Sequence, residues 1–253
     1  MNILQTRHGL MMVRQSPDMI SRILAQTGEY EWQVVALCAA LASGHEDGYI
    51  VDIGANMGTV TVPLAKQFPG YRVRSFEPQR AVFYQLAGNV ALNDLTNVEL
   101  RMNGLGSQRR SIYIDMPDYD KEANIGAWSM DAEVREKSPE GRGGGKEEPV
   151  QIEMLNDMHF DKPIRLIKID VEGMELEVLK GGYRLLQEHD YPPLVYECWQ
   201  HFDWYKPRAK ELDDYVRGMG YQTHTVGNTI FAVHEDSEID VAFEGQNLRI
   251  GRK

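Results

Sequence analysis

A turn that follows an apolar segment has the residue types and spacing to hold a nucleoside cofactor. The turn residues expected to contact the cofactor are Asp52, Gly54, Ala55, Asn56 and Gly58. Glycines let a backbone turn tightly and approach a ligand closely. Glu77, about twenty residues further on, has the position at which an acid accepts hydrogen bonds from ribose hydroxyls. The pattern predicts a nucleoside-binding crevice at the carboxyl edge of a parallel sheet.

The order of residues in this turn favours S-adenosylmethionine over a nicotinamide dinucleotide. A dinucleotide-binding turn reads Gly-x-Gly-x-x-Gly, whereas residues 52–58 read Asp-x-Gly-x-Asn-x-Gly. The acid that begins the turn would repel a pyrophosphate but suits a cationic or amino-bearing ligand. Asn103, just past a later strand, is placed to meet adenine or its sugar. A strand-to-helix turn that binds no ligand is the structural alternative.

Four titratable residues are candidates for the chemistry at this crevice. Asp170 ends the apolar run 164–170, where a cofactor and an acceptor would meet, so it is expected to serve both. Glu172 follows two residues later, and Glu197 ends the next predicted strand. His201 lies in the aromatic loop after that strand and is a candidate general base. Structural roles stay open, because an acid at a helix start caps free N–H groups and a histidine among aromatics is often simply packed.

The elements that must position these residues alternate between strands and helices. Strands are predicted at 49–53, 72–76, 98–102, 164–170, 194–198, 221–226 and 229–234. Helices are predicted at 59–67, 80–93, 174–187 and 209–219. This alternation predicts an α/β fold with a doubly wound, mostly parallel seven-stranded sheet whose last strand is antiparallel.

The remaining segments form a lead-in, an insertion and a tail. The predicted divisions are 1–46, a hairpin and helices that cover the site, 47–236, the core, and 237–253, a C-terminal tail. The core contains an insertion at about 115–150 with a polar, glycine-rich run at 140–149, which is predicted to be flexible. A lid in which Trp128 and Met130 pack over an acceptor and a passive surface insertion are both open.

Several separated segments resemble the FkbM-type methyltransferases. They are Val51–Gly58, Ser75–Pro78, Ile167–Gly173 with Glu175, Leu179, Lys180 and Gly181 after it, Pro193–Glu197, and the lead-in Gly28–Glu31. The resemblance covers roughly residues 20–235. It implies a Rossmann-like class I methyltransferase fold, S-adenosylmethionine as the methyl donor, and transfer most often to a hydroxyl. It does not specify the acceptor.

Composition limits the class of protein and its partners. The apolar fraction of 42% and the charged fraction of 26% are ordinary for a soluble globular domain. No stretch approaches the roughly 18 apolar residues that span a bilayer, and the first residues lack a secretory layout. Two cysteines suit a reducing cytosol, so a cytoplasmic protein without membrane contact is expected. The net charge of -11 argues against a nucleic-acid partner, because phosphate contacts need clustered Lys and Arg.

The expected partner is a small-molecule or peptide acceptor, and a homodimer is left open. A hydroxyl on a natural product or sugar is the leading acceptor, and a side-chain amide in a ribosomally made peptide is the alternative. An NAD-linked oxidoreductase would need a turn that is absent, and an inactive nucleoside-binding module would show damage at the turn or Asp170. No group of His, Cys and Asp has metal-ligand spacing, so no metal is predicted, although Asp170, Glu172 and Glu197 could converge.

Overall fold

A computed structural model describes residues 1–14, 18–118, 125–137, 146–245 and 247–253. The chain begins with a hairpin and two helices. These elements are β1 (Asn2–Thr6), β2 (Gly9–Val13), α1 (Met19–Thr27) and α2 (Trp32–Ala42). α1 begins after Asp18, whose carboxylate accepts a hydrogen bond from the Ser21 N–H at 2.9 Å and so caps a free helix donor.

The central part of the chain alternates strands and helices. Its first half contains β3 (Gly48–Ile53), α3 (Thr61–Gln67), β4 (Tyr71–Phe76), α4 (Arg80–Leu92) and β5 (Val98–Arg101). The insertion follows with β6 (Gly104–Leu105), β7 (Arg110–Asp115), α5 (Ala132–Lys137) and β8 (Glu147–Glu153). The second half contains β9 (Ile164–Ile169), α6 (Glu175–Lys180), α7 (Tyr183–Glu188), β10 (Leu194–Glu197), α8 (Lys206–Gly218), β11 (Tyr221–Val226) and β12 (Thr229–His234). A last hairpin consists of β13 (Ile239–Glu244) and β14 (Asn247–Arg252).

The central sheet confirms the predicted fold class. Its seven strands lie in the order β5-β4-β3-β9-β10-β12-β11. β3 pairs in parallel with both β4 and β9, whereas β12, the last of these strands in the chain, runs antiparallel to β10 and β11. The chain moves outward from β3 to β5 and then returns to the other side of β3 with β9. The strand order therefore reverses between β3 and β9, and ligands bind at such a switch point in doubly wound sheets.

The central strands are buried on both faces, which explains their nearly continuous apolar sequences. All six residues of β3 are buried, as expected where helices cover both sides of a parallel sheet. Ile167 and Ile169 pack with α6 and α7 on one face, and Leu166 packs with α2 and α3 on the other. One buried acid and one buried lysine interrupt this pattern in β3 and β9. Asp52 of β3 and Lys168 of β9 are buried and lie directly opposite each other in the strand register.

The insertion between β5 and β9 forms a small second sheet. Its strands lie in the order β6-β8-β7, with β7 and β8 antiparallel. Trp128 and Met116 pack against Val150 and Ile152 in a separate buried cluster, which anchors the segment 125–137. Most of the glycine-rich run that the sequence predicts to be flexible, 140–149, lies outside the described residues.

The single helix predicted at 174–187 is wrong, because α6 and α7 are separate. Asn156 intervenes at the break: its N–H donates to the Gly181 carbonyl at 2.9 Å, and its side-chain oxygen accepts from the Leu185 N–H at 3.0 Å. These two bonds replace the one that would join Gly181 to Leu185 in a continuous helix. The hairpin of β13 and β14, with β14 against α2, was not predicted from the sequence. Within the described ranges, no helix is both long and apolar enough to cross a lipid bilayer.

Candidate cofactor and acceptor site

The carboxyl ends of the central strands open into a cavity of about 290 Å³. Gly54 follows β3, Glu77 follows β4, Asp170 follows β9 and Glu197 ends β10, and all of them line this cavity. The volume is close to the lower end of the roughly 300–1,000 Å³ typical of ligand pockets. A cavity therefore lies where the crevice was predicted, at the point where the strand order reverses.

The turn after β3 is held by the backbone of its neighbours. The N–H groups of Gly54 and Ala55 donate to the Phe76 carbonyl at 3.0 and 2.9 Å. Gly54 has φ +75°, and a Cβ at this position would lie 1.7 Å from the Asp170 carbonyl oxygen, so glycine is required here. Ala55 and Asn56 line the cavity, whereas Gly58 lies behind the turn, where a Cβ would meet Leu86 at 2.8 Å.

Glu77 is buried at the edge of the cavity with part of its carboxylate already occupied. One oxygen accepts from the Asn56 N–H at 3.0 Å, and the other accepts from the Gln79 N–H at 2.9 Å. Burial raises the pKa of Glu77 to about 7, although both N–H groups favour the ionised form. A carboxylate offers about four lone-pair sites. Two sites are thus left for a ligand, which suits a pair of neighbouring hydroxyls.

Asp52 was expected to contact the cofactor, but it lies beneath the cavity and does not form part of its wall. It is fully buried on the α2 and α3 side of the sheet, and its Oδ2 accepts from the Thr61 hydroxyl at 2.6 Å. Its Oδ1 lies 3.3 Å from Lys168 Nζ. The reason is the strand alternation, which turns this side chain into the helix layer below the turn. Asp52 therefore acts on the site from below, chiefly through its ion pair with Lys168.

Lys168 connects this buried acid to the cavity. Its ammonium donates to the Gly54 carbonyl at 2.9 Å and lies 3.4 Å from Asp170 Oδ2. Burial opposes the charge of Lys168, but the carboxylates of Asp52, Asp170 and Glu31 together raise its pKa above the usual value. Lys168 is thus a buried cation that fixes the turn and the Asp170 carboxylate at the same time.

Carboxyl groups converge at the other end of the cavity. Oxygens of Asp170, Glu172 and Glu197 all lie within 4.8 Å of one another, as the sequence suggested they could. Glu31, which precedes α2, also lines this end. Burial, followed by repulsion from Asp170, raises the pKa of Glu31 to about 7 and of Glu197 to about 9, and it raises the pKa of Glu172 well above the usual value. Like charges this close cannot all ionise, so the group holds protons at neutral pH.

Aromatic side chains form the outer wall of this acidic end. Trp199, His201 and Phe202 line the cavity after β10. His201 is exposed at the rim, with its ring 4.0 Å from the Phe202 ring. The Trp199 ring lies 5.2 Å from that of Tyr205, which is buried behind it. The wall therefore offers an apolar surface next to carboxyl groups, with His201 at its solvent edge.

The insertion closes the end of the cavity near β5. Asn103 is buried there, and its amide donates to the Gly104 carbonyl at 3.0 Å. Met130 lies against Gly104, since a Cβ on that glycine would come within 2.8 Å of the methionine Cε. Trp128 lines the same wall and donates its ring N–H to the Asp115 carbonyl at 3.2 Å. Trp128 and Met130 thus line the cavity, with Met130 against Gly104 beside Asn103.

Sequence reasoning did not select several residues that line the cavity. They are Met19, Ile20, Tyr30, Glu31, Gln79 and Asn228. Glu31 belongs to the lead-in Gly28–Glu31 that resembles the FkbM family, so that signal could have identified it. No spacing in the sequence marks Met19 or Ile20, because α1 reaches the cavity through tertiary packing.

Comparisons with known proteins match the central part of the chain. Residues 52–223 match a family model described as the methyltransferase FkbM domain. The protein named methyltransferase 1 of Beauveria bassiana (strain ARSEF 2860) is 28% identical over 154 residues, covering 57% of this chain and 62% of that protein. The protein named methyltransferase sdnD of Sordaria araneosa is 29% identical over 165 residues, covering 57% of this chain and 64% of that protein. The chain thus spans less than two thirds of either relative.

A solved structure supports the fold. A crystal structure of a Corynebacterium glutamicum protein superposes with a TM-score of 0.50 over 90% of each chain. The two sequences are 12% identical. This likeness concerns the fold alone.

Proposed function

Because the chain belongs to the FkbM methyltransferase family, we propose that it transfers a methyl group from S-adenosylmethionine to a hydroxyl of a natural product or sugar. The observation that carries the proposal is the single cavity that joins Glu77 at one end to Glu172 and Glu197 at the other. The first end has the chemistry to hold a ribose. The second end has the chemistry to receive an acceptor and its proton.

The donor groups around the cavity fit the proposed cofactor. Gly54 has no side chain, so its backbone packs against the Asp170 carbonyl and a ligand can approach the turn closely. Glu77 has lone pairs free for two ribose hydroxyls. Asn103 offers a buried amide at the expected adenine end. The ionised forms of Glu31 and Asp170, which both line the cavity, would complement the ammonium and sulfonium groups of S-adenosylmethionine.

The protein supplies alignment, exclusion of water and a proton acceptor. S-adenosylmethionine, when bound, supplies the electrophilic methyl group. An acceptor hydroxyl between Glu172 and Glu197 would have a carboxylate on either side, and a deprotonated one would take its proton while the methyl group leaves the sulfonium sulfur for the oxygen. The raised pKa of Glu197, about 9, makes its carboxylate a stronger base than an ordinary glutamate. Lys168 keeps Asp170 oriented toward the same end of the cavity.

N-methylation of a peptide side-chain amide is the second candidate. The observation in its favour is the exposed rim formed by His201 and Phe202, which leaves the acidic end accessible to a long ligand. A small hydroxyl compound would instead use the inner surface of Trp199. The two candidates share the cofactor and the acidic end, so they differ only in what lies outside the rim.

Calorimetric titration with S-adenosylhomocysteine, with NADH in a parallel experiment, tests the cofactor. The expected result is micromolar binding of S-adenosylhomocysteine and none of NADH. Binding of NADH instead, or of neither ligand, would overturn the proposal. Radiolabelled S-adenosylmethionine supplied with hydroxyl-bearing compounds and with asparagine- or glutamine-containing peptides then separates the two acceptors. Label transferred only to the peptides would reject the hydroxyl.

A further inference from the structure

Three amide side chains, two on α4 and one on the residue that caps its C-terminus, bind the backbone of β2. They are spaced four residues apart, at Gln85, Asn89 and Asn93. Gln85 donates to the Met12 carbonyl at 2.8 Å, and the Asn89 oxygen accepts from the Met12 N–H at 2.5 Å. Asn93 accepts from the Leu10 N–H at 3.1 Å and donates to the Leu10 carbonyl at 2.7 Å. These amides satisfy the backbone groups of the strand in the way that a neighbouring strand would.

Asn89 differs from the other two amides because it also reaches the backbone of the turn after β3. It is fully buried, and its Nδ2 donates to the Met57 carbonyl at 2.8 Å. The other end of the same peptide unit, the Gly58 N–H, donates to the Ala55 carbonyl at 2.9 Å. The peptide unit between Met57 and Gly58 is thus bonded to Asn89 through its carbonyl and to Ala55 through its N–H. Ala55 lines the cavity.

The packing around this amide joins the same parts of the molecule. Met11 and Val13 of β2 share a buried cluster with Ile20 of α1 and with Met57 of the turn. Ile20 also lines the cavity. The hairpin, the first helix and the turn are therefore packed as one unit around Asn89.

We propose that Asn89 is a positioning residue that couples the docking of the N-terminal hairpin to the binding of the cofactor. One planar amide holds both partners, with its oxygen on Met12 and its nitrogen on Met57. It cannot rotate away from one partner without releasing the other. Asparagine is a poor residue for a helix interior, so its place in α4 is explained by these contacts and not by helix propensity. Coupling of this kind is reciprocal: cofactor binding tightens the hairpin, and hairpin docking tightens cofactor binding.

Hydrogen exchange and calorimetry with S-adenosylhomocysteine test the coupling, which rests on the proposed function for the identity of the ligand. In the wild-type protein, the ligand should slow amide exchange in residues 2–13. Asn89→Ala should abolish this protection and weaken ligand binding roughly tenfold, as expected from about 1.4 kcal/mol of lost hydrogen bonding. Asn93→Ala is the matched control, because it removes two hydrogen bonds to the same strand without touching the turn and leaves the bonds of Gln85 and Asn89 to Met12 in place. It should speed the transient openings of the hairpin that amide exchange reports, while Asn89 keeps the hairpin docked most of the time, so the affinity should be unchanged.

Three results would overturn the inference alone: wild-type affinity in Asn89→Ala, an equal loss of affinity in Asn93→Ala, or a hairpin whose exchange does not respond to the ligand. A wild-type protein that fails to bind S-adenosylhomocysteine would instead overturn the proposed function and the coupling with it. If Asn89→Ala does not fold, Asn89→Asp replaces it. Aspartate keeps the size of the side chain and the oxygen toward Met12 but removes the donor to Met57. The Asn89→Asp variant should therefore lose affinity to the same extent while its hairpin stays docked.

Discussion

The carboxylate of Glu77 accepts a hydrogen bond of 3.0 Å from the backbone N–H of Asn56. This bond links the end of β4 to the turn after β3, and the two residues are 21 positions apart in the chain. Since the same carboxylate lines the cavity, its orientation is fixed before any ligand arrives. Preorganisation of this kind lowers the entropy that binding must overcome.

Glu77→Ala should weaken the binding of S-adenosylhomocysteine, because the ribose hydroxyls would lose a charged acceptor. The expected cost is roughly 1.5–3 kcal/mol for each lost hydrogen bond. Glu77→Gln should lie between this variant and the wild type, since its oxygen can still accept. Calorimetry measures all three affinities, and Glu235→Gln, an exposed site, is the control. An unchanged affinity in Glu77→Ala would refute the placement of the ribose.

Asp170→Asn should lower kcat more than the affinity for S-adenosylhomocysteine, because its carboxylate helps to form the acidic end of the cavity. The amide also loses the charge that pairs with Lys168 at 3.4 Å. A fall in kcat of roughly a hundredfold is expected if the charge contributes to proton handling. Kinetics and calorimetry on the same preparation measure both effects. Equal losses in the two quantities would assign Asp170 to cofactor binding alone.

The sequence predicted the fold class because the central strands are recognisable as nearly continuous apolar runs. Runs such as Ile164–Ile169 are apolar since helices cover both faces of the sheet, and burial on both faces follows from parallel topology. The break between α6 and α7 could not be predicted in the same way. It depends on Asn156, which is distant in the sequence and takes over the hydrogen bonds of Gly181 and Leu185.

For the candidate site, the sequence indicated which residues lie at the ends of the strands. Strand spacing placed Glu77, Asp170 and Glu197 at one edge, and the structure brings them to one cavity. The prediction for Asp52 differs from the structure. Its side chain lies on the helix side of the sheet, where it pairs with Lys168, and not in the cavity wall. Glu31 enters the cavity from the lead-in, a contact that only tertiary packing determines.

The pH dependence of kcat/KM should report Glu197 if this residue takes the proton of the acceptor. Its pKa is raised to about 9, mainly by burial, and only the deprotonated form is a base. The rate should therefore rise with pH and level off above about 9. Glu197→Gln should lower the rate and remove this rise, which separates the effect from ionisation of the acceptor itself. A rise that persists in Glu197→Gln would exclude Glu197 as the base.

The stability of the ligand-free protein should fall as pH increases from 5 to 8. Burial raises the pKa of Glu77 and of Glu175 to about 7, above the usual value of 4.5. The folded protein therefore keeps protons that the unfolded chain releases, so this stabilisation is complete below pH 4.5 and is lost as pH rises through 7. Each pKa unit corresponds to about 1.4 kcal/mol per group, so the total loss is on the order of several kcal/mol, and each kcal/mol lowers the unfolding temperature by roughly 2–4 °C in a domain of this size.

Calorimetric melting at several pH values measures this slope, and one substitution assigns it. Glu175→Gln should flatten the dependence, because its amide oxygen can still accept from the Val171 and Gly173 N–H groups but carries no proton to release. Glu235→Gln, at an exposed site, should leave the slope unchanged. A stability that rises with pH over this range would contradict the assignment of the raised pKa values to the folded state.

Methyl transfer should survive removal of divalent metal ions. The oxygens of Asp170, Glu172 and Glu197 lie within 4.8 Å of one another, a spacing at which a divalent cation could be shared. Metal binding requires deprotonated ligands. In the proposed reaction these carboxyl groups serve the acceptor and its proton instead of a metal ion. Initial rates with excess EDTA should therefore match those with EDTA saturated beforehand with magnesium. A loss of rate with EDTA that added magnesium or manganese restores would instead make these carboxylates ligands of a required ion.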